Sequence, residues 1–530
     1  MSTKEVITNN ATDLVIIGGG VNGCGIARDA AGRGLSVILV EMDDLGAATS
    51  SASTKLFHGG LRYLEYFSFR LVKEALTERE VLLKSMPHIS WPMRFILPYD
   101  KFMRFNSFTP ATKWINYIMP WSKSKRPFWL IKLGLYLYDS LGGRKILSPT
   151  KLLHFPNSRE GRPLKAKFKR GFEYSDCWVE DSRLVILNAR DAQDRGATIL
   201  PRVKLITAER TKNYWNLTFQ DQKTNQEWQQ KARYLINAAG PWVGSILKEK
   251  LGQIDMPSIR LVRGSHLVVK KQYDHEKADF LQGREGRIVF AIPYEQDVTL
   301  IGTTDVDHDS AQIKPVCTDE ERDYLLEFVN LYFSKPVTKE DIVWCYSGIR
   351  PLYQDGAAVS TSATRDYVLK VDKSDAPLLT IYGGKITTYR KLAENVMSKV
   401  VPYFGLNDKP WTINVALPGG DFKVDEFNLL MERILEEFPY LSPDWARRLL
   451  RQYGTETKKI LNNTQQLSDL GCHFGCHITE RELLWSIANE WTQNAEDFIW
   501  RRTKLGLKLT KKQIEEIDNF IQNTKKCMLE

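Results

Sequence analysis

The segment Thr49–Glu65, TSSASTKLFHGGLRYLE, gathers a run of hydroxyls, the cations Lys55 and Arg62, His58 and the pair Gly59-Gly60 into one short stretch. Hydroxyls and bare backbone donate to phosphate oxygens, and an arginine fork binds them two at a time. Upstream, Gly18-x-Gly20-x-x-Gly23 lies between an apolar β run, Leu14 to Ile17, and a small-residue helical pattern, Cys24 to Arg33. Glycines in that register admit a pyrophosphate to the backbone, where a helix N-terminus offers N–H donors and partial positive charge. Glu41 ends the next β run, Ser36 to Val40, 18 residues after Gly23, where a carboxylate can accept from ribose hydroxyls. That acid suits NAD and FAD equally, because both carry an adenosine ribose.

Three further stretches bear on which dinucleotide it is. FAD is the longer molecule and needs distant segments along its ribityl chain and flavin. Thr49 to Lys55 offers hydroxyls straight after the fingerprint. YLINAAGPWV at Tyr234 to Val243 is a buried strand breaking into Ala239, Gly240 and Pro241. IYGGKITTYR at Ile381 to Arg390 opens a second helix N-terminus with glycines.

In that order, the three stretches resemble the FAD-binding segments of the glutathione-reductase-type flavoproteins, in the D-amino-acid-oxidase-like branch. More closely, the chain is similar to the FAD-dependent, quinone-linked aerobic glycerol-3-phosphate dehydrogenase family. The pieces that carry this are IIGGGVNGCGIARDAAGRGLSV, ATSSASTKLFHGGLRYLE, KRGFEYSDCWVEDSRL, RGSHLVV, IGTTDVD, IVWCYSGIRPL, ATRDY and GGKITTYRKLAE, with RRTKLGL near the C-terminus. The resemblance implies FAD held by Gly18, Gly20, Gly23, Glu41, Thr49, Ser50, Ser53, Lys55, His58, Gly59, Val203, Ala239, Gly240, Gly384 and Thr387. It implies oxidation of sn-glycerol 3-phosphate to dihydroxyacetone phosphate by hydride transfer from C2 to flavin N5.

The residues agree with that chemistry. A phosphate ester needs fixed cations, and Arg62 with Tyr63, together with Arg365, are the candidate phosphate contacts. Losing a hydride from a secondary alcohol also requires a base and a cation beside the developing alkoxide. His266, in a strand pattern next to Arg263, is the candidate base, with the neighbouring charge favouring a neutral imidazole. Arg350 and Lys385 are the candidate cations. No metal site is expected: Cys472-His473 and Cys476-His477 form one isolated cluster without a second half.

Electrons must leave the reduced flavin, and neither a CxxC pair nor a second dinucleotide fingerprint is present, so oxygen or a membrane quinone remains. The family resemblance favours quinone; an oxygen-using oxidase of the same fold is the alternative. The net charge of +10 is uneven. Lys101 to Arg170 holds 16 Lys and Arg against Asp139 and Glu160, interleaved with 12 aromatics. Trp and Tyr favour the bilayer interface and Lys and Arg its anionic headgroups, though an ordinary cap with a solvated basic face has the same composition; the family resemblance implies peripheral attachment to the cytoplasmic face of the inner membrane. The same mixture can stack nucleic-acid bases, a reading set aside in favour of a membrane surface and no nucleic acid. Phe128 to Tyr138 would be a helix of about 16 Å, half a bilayer core, so no spanning helix is expected. A homodimer is possible. Seven scattered cysteines imply reduced thiols rather than a disulfide framework.

The elements that must position these residues fit a chain of 530 residues with ordinary globular composition, 43% hydrophobic and 26% charged. The expected fold class is α/β (α+β overall), with a Rossmann-type FAD-binding domain in segments 1–85, 170–245 and 345–410. It interleaves with an antiparallel-sheet substrate or cap domain, 86–169 and 246–344. After Leu417-Pro418-Gly419-Gly420 the strand signals fade, and 411–530 is expected to be helical.

Overall fold

The computed structural model describes residues 11–101, 109–118, 127–143, 146–253, 258–283, 286–353 and 366–527. Two sheets organise them. The first runs in the order Val368–Asp372, Leu378–Tyr382, Glu227–Asn237, Thr12–Ile17, Val37–Glu41 and Thr198–Pro201. The last five of these are parallel. Leu14, Val15 and Ile16 are fully buried, as parallel strands covered on both faces require. Helices Val21–Ala31, Asp181–Asp194 and Tyr389–Val400 pack together beside this sheet. The hairpin of Val203–Arg210 and Trp215–Asp221 extends antiparallel from the start of Glu227–Asn237.

The second sheet runs Val306–Asp307, Ile259–Lys270, Val298–Gly302, Ile288–Tyr294, Ala278–Gln282, Ser90–Pro98, Arg170–Val179 and Leu56–Phe57. Ile342–Tyr353 lies along the other side of Ile259–Lys270, and Lys151–His154 on Arg170–Val179. One pair in it is parallel, Ala278–Gln282 with Ser90–Pro98. Both Arg170–Val179 and Ile342–Tyr353 therefore belong to the cap sheet. The chain crosses between sheets inside the segments 170–245 and 345–410, not at their ends. Hydrogen-bonding to Ser90–Pro98 and to Ile259–Lys270 decides this, and composition does not reveal strand partners.

Beyond Gly420 helices dominate, including Phe427–Glu437, Pro443–Tyr453, Glu480–Asn489 and Lys511–Cys527. Ser442 caps the second of these by accepting from the Trp445 N–H. Buried ion pairs fasten this unit to the first sheet's helices and loops: Arg183 with Glu490 at 2.7 Å, Arg190 with Glu456 at 2.5 Å, and Arg501 and Arg502 with Asp44. Among the described residues, no helix is long and apolar enough to cross a membrane.

Candidate active site

Between the two sheets lies one continuous cleft of about 580 Å³. It begins at the fingerprint. Gly18 has φ +111°, and a Cβ there would stand 2.6 Å from the Ala238 carbonyl oxygen. A Cβ on Gly23 would overlap the Gly18 carbonyl. Gly23 thus supports the turn from behind, while Gly18 and Gly20 line the cleft. The Gly19 N–H donates to Glu41 Oε2 at 2.7 Å and the Asp43 N–H to Oε1 at 2.9 Å. Burial pushes the Glu41 carboxyl up to about 7, and hydroxyl donors from a ribose would favour its ionised form.

The hydroxyl run has partners within the protein. Thr49 donates to the Ile349 carbonyl at 2.7 Å, Ser50 Oγ accepts from the Val21 N–H at 3.0 Å, and Ser53 donates to Asp181 at 2.8 Å. All three residues line the cleft, but each hydroxyl also has a partner within the protein, as buried polar groups require. Ser50 completes the N-terminus of helix Val21–Ala31, joining the hydroxyl segment to the fingerprint.

Lys55 and Gly59 lie outside the cleft lining. The Lys55 ammonium is fully buried against Asp181 at 2.7 Å and sits over the Tyr346 ring. An uncompensated buried ammonium is costly, so it stays with its carboxylate. The Gly59 N–H donates to Tyr138 Oη at 2.7 Å, and a Cβ there would overlap Leu76. His58, Val203, Ala239, Gly240, Gly384 and Thr387 do line the cleft.

At the far end the candidate catalytic and substrate residues converge. His266, Arg350, Lys385, Arg62 and Tyr63 share the cleft wall, whereas Arg365 lies outside the described residues. The His266 ring stacks on Tyr346 at 4.8 Å, nearly parallel. Its opposite neighbour in the sheet is Gly302, where a Cβ would collide with the imidazole. Burial first, then Arg350 and Lys55, hold His266 well below its ordinary pKa, so the ring is neutral. Arg263, the expected cause, is instead paired with Glu321 at 2.9 Å.

Arg350 is held by Asp305 and donates to Thr303 Oγ1 at 3.0 Å, over Gly264, where a Cβ would strike the guanidinium. The Lys385 ammonium lies 4.1 Å from the Tyr63 ring centroid. Arg62 differs from these. Its Nε and Nη2 are buried and have no hydrogen-bond partner among the described residues. Sequence reasoning did not single out Thr54, Asp305 or the two spacer glycines Gly264 and Gly302. The motifs RGSHLVV and IGTTDVD contained three of the four, without showing which residues face each other.

This cleft runs from a dinucleotide fingerprint between two sheets to a neutral histidine near Arg350, the arrangement of a flavin-dependent oxidoreductase. The chain belongs to the FAD dependent oxidoreductase family, whose pattern residues 13–390 match, and its cofactor is FAD. Residues 411–526 match the C-terminal domain of alpha-glycerophosphate oxidase. The chain is 42% identical over 511 residues to the aerobic glycerol-3-phosphate dehydrogenase of Escherichia coli, covering 96% of this chain and 97% of that one. It is equally 42% identical over 512 residues to D-erythritol 1-phosphate dehydrogenase of Brucella abortus, covering 96% and 98%. Among solved structures, the glycerol-3-phosphate dehydrogenase from Bacillus halodurans complexed with FAD superposes with a TM-score of 0.72 at 26% identity, covering 97% of this chain and 94% of that one. The residues fit the cofactor: the bare backbone at Gly18 leaves no room for a Cβ, and the cleft is continuous from Glu41 to Lys385.

Proposed function

We propose that this chain oxidises the C2 alcohol of sn-glycerol 3-phosphate to dihydroxyacetone phosphate. The observation that carries the reading is Arg62, whose unpaired buried donors share one cleft with a neutral histidine. Buried guanidinium N–H groups without partners are unfavourable unless an anion meets them. A phosphate monoester supplies that anion, and the relatives named for glycerol 3-phosphate and D-erythritol 1-phosphate both act on such esters. In this reading, Arg62 and Tyr63 hold the phosphate and Lys385 stands behind Tyr63. Arg350 stabilises negative charge on the substrate oxygen. His266 takes the proton that the C2 hydroxyl loses. FAD, when bound in this cleft, would supply the hydride acceptor for C2.

Electrons then pass to a membrane quinone. Docking on an anionic lipid surface is supported by the helices Pro110–Ile118 and Phe128–Leu141. Both turn aromatic faces outward: Trp114, Tyr117, Trp129 and Tyr136 are exposed, beside exposed Lys113 and Lys132. Apolar faces that large on a folded protein mark interaction sites, and the interleaved lysines complement anionic headgroups.

One experiment separates these statements. Purified holoenzyme is mixed anaerobically with sn-glycerol 3-phosphate, then with D-erythritol 1-phosphate, and flavin absorbance is followed. Bleaching by the first alone supports the assignment; bleaching by the second alone, or by neither, overturns it. Re-oxidation is then tested with a soluble quinone in the presence of anionic or neutral vesicles. Peroxide release with no quinone reduction would replace the quinone reading by the oxidase one. Equal binding to both vesicle types would remove the electrostatic argument for docking.

A further inference from the structure

His266 is the proposed base, yet neither ring nitrogen is open to the cleft. Nδ1 is buried and has no hydrogen-bond partner among the described residues. Nε2 lies 2.9 Å from Thr54 Oγ1. The ring is held in place, since Tyr346 stacks against one face and its Cδ2 edge fills the space a side chain at Gly302 would take. The whole residue is 1% exposed. Thr54, in contrast, is half-buried and lines the cleft. It sits between Ser53, bonded through its hydroxyl to Asp181, and Lys55, paired with the same carboxylate at 2.7 Å. Both flanking residues are thereby pinned, which fixes the Thr54 backbone and the direction of its side chain.

We propose that Thr54 is a catalytic residue that relays the substrate's C2 hydroxyl proton to His266. The inference rests on the reading of His266 as base. As the C2 O–H bond breaks, its proton forms a new O–H bond on Thr54 Oγ1. The hydrogen that Thr54 held is transferred to Nε2, forming an N–H bond. The substrate oxygen keeps the electron pair that becomes the second C–O bond as C2 gives up its hydride to the cofactor. Thr54 ends as it began, a neutral hydroxyl, and His266 ends as imidazolium. A threonine serves this purpose because one hydroxyl is both donor and acceptor. Its β-branch also limits χ1, so the oxygen keeps its aim at the ring.

The test follows flavin reduction by sn-glycerol 3-phosphate in single turnovers of the holoenzyme, so that proton transfer is not masked by product release. Thr54→Val removes the hydroxyl at nearly constant volume and is expected to slow flavin reduction roughly 10²-fold, the scale of general base catalysis. Thr54→Ser restores the hydroxyl and most of the rate. In the wild type, rates in mixtures of light and heavy water should trace a curve, because two protons move together; a straight line, one proton, overturns the relay. A Thr54→Val rate within about twofold of wild type also overturns it. The wild-type measurement decides the matter even if the valine variant loses flavin. His266→Asn distinguishes the two layers of the argument. A fast Thr54→Val with a slow His266→Asn removes the relay and keeps the base. A fast His266→Asn removes both.

Discussion

Arg62 contrasts with two arginines nearby: its Nε and Nη2 have no hydrogen-bond partner among the described residues, while Arg350 has Asp305 and Arg263 has Glu321. A group left in that condition reduces stability, and proteins retain such groups where a ligand completes them. The two effects can be separated in one variant. Arg62→Met should lower kcat/KM for the phosphate ester by roughly 30- to 150-fold, the equivalent of about 2–3 kcal/mol for a lost charge-assisted contact. Its thermal unfolding midpoint should stay level or rise, because two buried N–H groups without partners have been removed. A loss of activity accompanied by a fall in midpoint would mean that Arg62 is structural.

The element scale explains why some site residues were legible in the sequence and others were not. The fingerprint glycines could be read because their reason is local: Gly23 meets Gly18, five residues away, and Gly18 meets the strand end at Ala238. The hydroxyls after it could be read as belonging to the cleft, but not their individual partners, since Thr49 bonds Ile349 and Ser53 bonds Asp181. Lys55 looked like a cofactor ligand for the same reason; its carboxylate lies 126 residues downstream. Gly302 could not be read at all. It must be glycine because antiparallel pairing sets it opposite His266, and register between strands this distant leaves no mark on composition. A methyl group there must displace the imidazole. Gly302→Ala should therefore reduce the rate of flavin reduction at least about tenfold, since small misplacements of catalytic groups are expensive. Flavin content should be unchanged, because the substitution is at the substrate end. Loss of flavin with an unaltered rate per bound flavin would contradict this.

At the scale of the whole molecule, the helical C-terminal unit was foreseeable from fading strand signals after Gly420, but its means of attachment was not. The Arg501–Asp44 bond joins residues 457 positions apart. Asp44 is buried, which opposes its ionisation, but Arg502 and Arg501 hold its carboxyl below the usual carboxylate range. Glu41 and Asp43, just before Asp44, line the cleft, so if Glu41 holds the FAD ribose as proposed, the attachment of the C-terminal unit and the grip on FAD share one short segment. Arg502→Met removes one of the three guanidinium groups around Asp44 and should destabilise the protein towards the lower end of about 3–5 kcal/mol, because Arg501, and Arg202 at 3.9 Å, still face that carboxylate. FAD should dissociate faster from the variant, read as flavin fluorescence in the filtrate after dilution. The pH dependence has a definite sign. A carboxylate whose folded pKa is depressed contributes fully above its unfolded value of about 3.9 and loses that contribution as pH falls through the folded one. The stability gap between wild type and variant should thus be level from pH 5 to 8 and narrow only below about pH 4. A variant that loses stability but keeps flavin as tightly as wild type would show that the C-terminal unit is fastened to the fold without bearing on the cofactor loop.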